Sequence, residues 1–338
     1  YSNKKVYLKG HSTLIGNNIV STHPTKTYQG NSFNDVLNLK YIDVDKDKNT
    51  FSSSKATLEA DKKNLKIEYA ALYWSAIYKY DKGRTVTKKL TGQNKHLKKI
   101  FYEGDGVRSA DVNSILFKTP NSEYRPINGT IIYDSFNYDH AFPQIKPYVC
   151  YADVTSILKN LKQTNGEYTV ANIKATQGMI SGGAAGGWLL YVIYKDENAT
   201  PKYFTAYNGF INVFKEPVDI IFEDFKAPET GQIKTALLLG ALEGDKKFKT
   251  DFCSFLDYKS ETYIPLFNKL RPSLNFYNGS ITKNESLYNN RVHNNEKTKV
   301  LDLIKKKIQK SEKIIISKNM IQSQKNIKSK TDNIYIIK

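Results

Sequence analysis

Methionine and tryptophan are nearly absent from this chain, at two residues each, and cysteine is as rare, at Cys150 and Cys253. Those two lie too far apart for a local metal clip and no Cys-x-x-Cys occurs, so one disulfide and two buried thiols both stay open. The histidines (His11, His23, His96, His140, His293) fall without any His-x-x-x-His spacing, which leaves a metal hydrolase without support. No Gly-x-Ser-x-Gly occurs, and no Cys sits in a protease-like signature. No segment reaches the roughly 18 consecutive apolar residues of a membrane-spanning helix. The chain also lacks an initiator Met and a signal peptide; opening at Tyr1, it reads as a processed or trimmed product. It ends in "DNIYIIK", a strand-like run with no turn after it, so the expectation is that more chain follows.

What is abundant points to β structure. There are 24 Tyr and 16 Phe, set among Ile, Val and Thr, all of which favour strands. Period-two alternation recurs, broken by turn residues every 8–12 positions. "KKVYLKG" (4–10) and "STLIGNNIVS" (12–21) read as separate strands, the second folding into a pair about Gly16. "FNDVLNLKYIDV" (33–44), "EPVDIIFEDFKAP" (216–228), "GQIKTALLLGALEGD" (231–245) and "NFYNGSIT" (275–282) read as further strands. "KIEYAALYWSAIYKY" (66–80) is too rich in aromatics to face water on either side, which predicts a strand at the centre of a sheet. Only "ADVTSILKNLKQ" suggests a helical turn or two, with Asp153 as its cap. The expected fold is all-β: two jelly-roll-like β-sandwich domains in tandem, over 1–214 and 215–338, the second ending in a Lys-rich part.

The net charge of +18 is carried mainly by Lys; Arg is confined to Arg84, Arg108, Arg125, Arg271 and Arg291. Nucleic-acid recognition favours the bidentate guanidinium and basic patches interleaved with aromatics, so no nucleic-acid partner is expected. The basic tail at 305–330 is the stretch through which a polyanion would otherwise bind.

The glycines of "SGGAAGGW" (181–188) invite a phosphate-loop reading. A Walker loop requires a Lys after its last Gly and a helix behind it, whereas Gly187 is followed by Trp188 and an apolar run. Close backbone approach in a scaffold is the better reading. Asp43, Asp45 and Asp47 have the spacing of an opening calcium loop, but Lys48 and Ser54 stand where an EF-hand needs Gly and Glu. A looser calcium site or plain turn acids remain. Glu243 and Asp245 share a strand face and read best as a strand end. A Lys–Asn isopeptide crosslink suits such a fold, although no pair stands out.

Several long stretches in order, among them "FNDVLNLKYIDVDKDKNTFSSSKATL", "KIEYAALYWSAIY", "KPYVCYADVTSIL", "AGGWLLYVIYKDENATPKYFTAYNGF" and "LLGALEGD", resemble a module of SprB-like giant gliding adhesins, surface proteins of Bacteroidota exported by the type IX secretion route. The resemblance spans residues 12 to about 290. It implies an extracellular, non-catalytic cell-surface module in a filament or adhesin, acting in attachment and gliding. The implied partners are further modules of the same chain, neighbouring surface proteins, the secretion machinery and a polysaccharide surface. Loops at 81–111 and 121–146 would make the contacts. The rival is a secreted carbohydrate-binding module or glycan-acting enzyme, with Tyr133, Phe136 and Tyr138 as its aromatic platform.

Overall fold

A computed structural model describes residues 2–287 apart from 26–31, 46, 63, 110, 137–144, 212, 214–215, 223–235, 242–243, 245–246, 248, 258–259 and 284–285. The strands up to residue 207 are β1 (Ser2–Asn18), β2 (Val20–Ser21), β3 (Lys40–Tyr41), β4 (Ser53–Leu58), β5 (Lys66–Ile77), β6 (Lys82–Lys89), β7 (Lys98–Asp105), β8 (Ser114–Lys118), β9 (Arg125–Asn128), β10 (Thr130–Asp134), β11 (Pro147–Asp153), β12 (Gly166–Ala171), β13 (Gln177–Gly178), β14 (Gly186–Lys195) and β15 (Pro201–Tyr207). A short helix, α1 (Thr155–Lys159), follows β11.

The protein is an all-β sandwich. One sheet has six strands in the order β10-β11-β5-β14-β1-β15, and the facing sheet has four in the order β4-β12-β8-β9. Alternate residues of β5 and β14 explain why both strands are apolar throughout. Ala70, Leu72, Trp74 and Ala76, with Trp188, Leu190 and Val192, point towards the four-stranded sheet and meet Ile115, Phe117, Tyr168 and Val170. The other parity (Tyr69, Ala71 and Tyr73 with Leu189, Tyr191 and Ile193) forms a second core under Phe204 and Ala206 of β15 and Val6 and Leu8 of β1. Each Val, Leu, Ile or Phe among them removed from water contributes about 1.5–3 kcal/mol. The central position expected of residues 66–80 is therefore what the strand order gives, with both faces covered.

The second core exists because β1 serves two partners. Gly10–Asn18 pair with β14, and the preceding stretch pairs with β15. The change occurs at Gly10, where an added Cβ would lie 2.2 Å from the Tyr194 carbonyl oxygen. Residues 4–18, where separate strands and a turn about Gly16 were expected, are thus one long strand, since Gly16 packs against the Trp188 carbonyl instead of turning, and Val20–Ser21 follow as β2.

Buried polar groups find partners inside the sandwich. Trp188 Nε1 donates to Ser54 Oγ at 2.8 Å and Trp74 Nε1 to the Val112 carbonyl at 3.0 Å, which ties the sheets together. Tyr148, Tyr168 and Tyr41 each donate to a backbone carbonyl, of Lys174, Thr164 and Ala175 respectively. Much of the tyrosine content is therefore scaffold, each ring filling core space while its hydroxyl satisfies a carbonyl. Asp153 Oδ1 accepts the Thr155 N–H at 2.8 Å just ahead of α1, but the N-cap position falls on Val154 and not on Asp153 as expected.

Beyond residue 214 the described residues form two-stranded ladders only, Ser254–Asp257 with Thr262–Pro265 and Thr282–Lys283 with Ser286–Leu287. Residues 216–222 and 236–239 carry no strand, and 33–44 contains a 3-10 turn (Asn34–Val36) and the short β3 in place of the expected long strand. The basic tail at 305–330 lies outside the described residues. Cys150 is buried, and no disulfide joins it to Cys253. Burial pushes the Cys150 thiol up to about 12.

Candidate binding surface

Within 81–111, expected as a contact loop, residues 82–105 form a regular antiparallel ribbon. β6 and β7 pair without a break from Lys82↔Asp105 to Lys89↔Lys98. Its base is held by the segment ahead of the glycine run. β13 pairs in parallel with Lys82 and Gly83, the Ser181 N–H donates to the Tyr102 carbonyl at 3.1 Å, and Gln177 N–H to the Asp81 carbonyl at 3.1 Å. Gly83 and Gly104 face each other there. A Cβ on Gly83 would lie 2.0 Å from the Met179 carbonyl oxygen and one on Gly104 within the Tyr80 ring. Above this base the ribbon is open to solvent: no described residue from 81 to 107 is buried.

The ribbon carries seven Lys and Arg against Glu103 and Asp105. Directly paired residues share a face. Arg84/Glu103, Val86/Phe101 and Lys88/Lys99 line one face, and Thr85/Tyr102, Thr87/Ile100 and Lys89/Lys98 the other. Lys88 forms an ion pair with Glu103. The Nζ atoms of Lys88 and Lys99 stand 5.9 and 5.7 Å from the centroid of the Phe101 ring. Ile100 is 55% exposed. The basic residues were visible in the sequence, but their pairing was not, because register is a tertiary property. The near-symmetry of "KKLTGQNKHLKK" about its Gly-containing turn was the available signal.

The glycine run is scaffold. Gly182 and Gly183 take φ of +87° and +78° in a turn closed by the Gly183 N–H donating to the Ile180 carbonyl, and the chain then enters β14 with no helix to receive a phosphate.

Of the three acids proposed for calcium, two converge. Oδ1 of Asp43 and Oδ1 of Asp45 each lie 2.9 Å from Ser53 Oγ. Asp47 turns to its own loop, accepting from the Asn49 backbone at 2.9 Å and side chain at 3.0 Å. Burial pushes the Asp45 carboxyl up, yet hydrogen bonds from Tyr124, the Asp47 N–H, Ser53 and Thr50 outweigh it and leave it below the ordinary carboxylate range. These bonds fix a turn between β3 and β4. Among the described residues no group of three or more His, Cys, Asp and Glu side chains is arranged to hold a metal ion.

Of the proposed aromatic platform, Tyr133 and Phe136 are described, and they meet different partners. Tyr133 stacks on Phe210, with centroids 3.9 Å apart and planes 4° from parallel, beside the second core. Phe136 is 40% exposed and lies over the Arg108 guanidinium at 4.6 Å. Tyr138 lies outside the described residues. Glu243 and Asp245 do as well.

Arg108, which nothing local marks, is a buried charge. Its side chain is 3% exposed and forks onto Asp134, with Nη1 donating to Oδ1 at 2.8 Å and Nη2 to Oδ2. Arg271 is likewise turned inward, donating to the Phe276 and Ser280 carbonyls and to Thr282 Oγ1. It borders a cleft of about 980 Å³ between β1, the start of β14 and residues 236–282. The Arg108 and Arg271 guanidiniums thus work inside, while on the exposed ribbon lysines outnumber the single Arg84, in keeping with the planar fork of Arg and the strongly hydrated ammonium of Lys.

His11 lies 3.7 Å from Asp196, and His23 Nδ1 accepts the Thr25 N–H at 3.2 Å. No family model, curated protein or solved structure matches the chain. Among the described residues no helix is long and apolar enough to cross a membrane.

Proposed function

We propose that the chain is a non-catalytic module of a cell-surface adhesin or filament, working outside the cell in attachment and gliding. The observation that carries this reading is the β6–β7 ribbon, a 24-residue arm anchored at its glycine base and exposed along both faces. An arm of this kind presents a large contact area without disturbing the sandwich that holds it. The sequence resemblance to SprB-like gliding adhesins points the same way, and with it come the partners proposed for the module: further modules of a longer chain, neighbouring surface proteins, the type IX secretion machinery and a polysaccharide surface. The body is suited to carry load, because β5 and β14 are paired on both edges and covered on both faces.

The test is protease treatment of intact source cells, with peptide mapping of what is released, together with attachment and gliding assays on cells lacking this chain. Ribbon peptides released from unbroken cells, and poor attachment on deletion, are the expected outcomes. Release only after lysis, or unchanged attachment and gliding, would overturn the reading.

A further inference from the structure

The end of the ribbon is charged in an unusual way. Lys88 faces Lys99 and Lys89 faces Lys98 at successive register positions, so two like-charged pairs sit back to back on opposite faces. Like charges directly opposite in an antiparallel ladder repel. The turn beyond adds Lys95 and His96, and the twelve residues from 88 to 99 contain no acid. Of the acids nearer the base, Glu103 reaches Lys88 only, and Asp105 and Asp81 lie at the far end of the ladder. On one face the Lys88/Lys99 pair flanks Phe101, so a ring and two cations stand together, and on the other Lys89/Lys98 stands beside the exposed Ile100.

We propose that the end of the β6–β7 ribbon is a docking site for an anionic polysaccharide, gripped by the cross-strand pairs Lys88/Lys99 and Lys89/Lys98 with Phe101 beneath a sugar ring. A chain of carboxylated or sulfated sugars that lies along the Lys88/Lys99 face and crosses the edge of the ribbon brings anions to the pair on each face and relieves their repulsion on binding. Its apolar sugar faces suit a single aromatic ring. Nucleic acid fits less well, because 88–99 contains no Arg and offers no row of aromatics on which successive bases could stack. This proposal rests on the reading of the chain as a surface-binding module and gives that module's partner a chemistry.

The test uses the whole chain and four probes: polygalacturonate, neutral dextran, single-stranded DNA and vesicles containing an anionic lipid. A variant with Lys88, Lys89, Lys98 and Lys99 all changed to Gln is compared with one in which the exposed Lys40, Lys48, Lys66 and Lys162 are changed to Gln, which removes the same charge elsewhere. Phe101→Ala is the third variant, and near-ultraviolet circular dichroism checks that all three fold. Polygalacturonate should bind the unmodified chain with an affinity that falls steeply between about 50 and 200 mM salt. The ribbon variant should lose roughly tenfold or more and show a shallower salt slope, while the control variant stays within about twofold. Phe101→Ala should weaken binding with the salt slope unchanged. Equal losses in the two lysine variants, no loss in the ribbon variant, or tighter ribbon-dependent binding of DNA or vesicles would each overturn the proposal. Polysaccharide binding lost in the ribbon variant by a chain that proves not to be at the cell surface would sink the surface reading alone. A surface-exposed chain whose ribbon lysines are indifferent to polygalacturonate would sink this inference alone.

Discussion

The sandwich body and the β6–β7 ribbon are built from the same secondary structure and obey opposite rules. In β5 and β14 both faces of the strand are apolar, because a sheet or a folded-over strand covers each side. In β6 and β7 neither face is covered, and Lys, Thr and Gly take the places that Leu, Trp and Tyr hold in the body. The body spends its polar groups on itself, tyrosine hydroxyls to carbonyls and Arg108 to Asp134, whereas the ribbon leaves like charges facing each other. The difference teaches that strand pairing alone does not place a segment in the core. The ribbon keeps its register through its turn and its glycine base, and the body keeps its through burial.

The comparison is broken most severely at the tryptophans. Trp188→Ala should cost about 3–5 kcal/mol in chemical denaturation, through the cavity and the lost bond to Ser54, whereas Ile100→Ala on the ribbon should stay within about 0.5 kcal/mol. A small effect at Trp188 would mean that the two-sided core does not form. Asp134→Asn comes next, at about 3 kcal/mol, because it leaves the Arg108 guanidinium buried without its counter-charge. Gly83→Ala should cost about 1–3 kcal/mol by forcing a Cβ onto the Met179 carbonyl. Its signature is local: hydrogen-exchange protection should fall across 82–105 while β5 and β14 remain protected, and uniform loss would show that ribbon and body are one cooperative unit.

A smaller effect follows from pH. Burial holds the Cys150 thiol and the Tyr41 hydroxyl, whose ordinary values are 9.0 and 10.0, up to about 12. The folded state then keeps protons that the unfolded chain gives up. Stability is complete below pH 9 and is lost as the pH rises towards 12, by about 1 kcal/mol between pH 9 and 10 for Cys150 alone. Cys150→Ala should flatten the first part of that slope, and an unchanged slope would place the thiol in water. Smallest of all, changing the four ribbon lysines to Gln should leave the denaturation midpoint where it is, or raise it slightly as the like-charge pairs disappear. A marked drop would assign those lysines to the fold and not to a partner.

Much of the body was legible from residue order. The unbroken aromatic character of 66–80 carried its own inference, because a strand with no polar parity must be covered twice. The glycine run before Trp188 declared itself scaffold by lacking both a Lys and a helix. The misread segments share one cause. At 4–21 and 33–44 the alternation was real, but the end of a strand is set by the edge it meets: β1 runs on past Gly16 because β14 lies beside it, and 33–44 is mostly irregular because its pairings are short, β3 with Val20–Ser21 and single bridges from Leu39 to Gly178 and from Asp43 to Ser53. Tyr133 and Phe136 stand three residues apart in sequence, and what the sequence could not give is their partners: Phe210 for Tyr133 on β10, and the Arg108 guanidinium for Phe136 beyond the end of β10 at Asp134.

By itself the sequence determined the class of fold, the strands that had to be buried on both faces, and the exclusion of a Walker loop, an EF-hand and a local cysteine metal clip. All of these follow from side-chain type and spacing along a strand or a loop. Tertiary structure alone decided which strands pair and in what register, and therefore that Arg108 meets Asp134, that β1 bends at Gly10 to build a second core, and that four lysines of one ribbon face each other in two pairs. Those are contacts between residues distant in the chain, whose energy appears only once both partners are held in place.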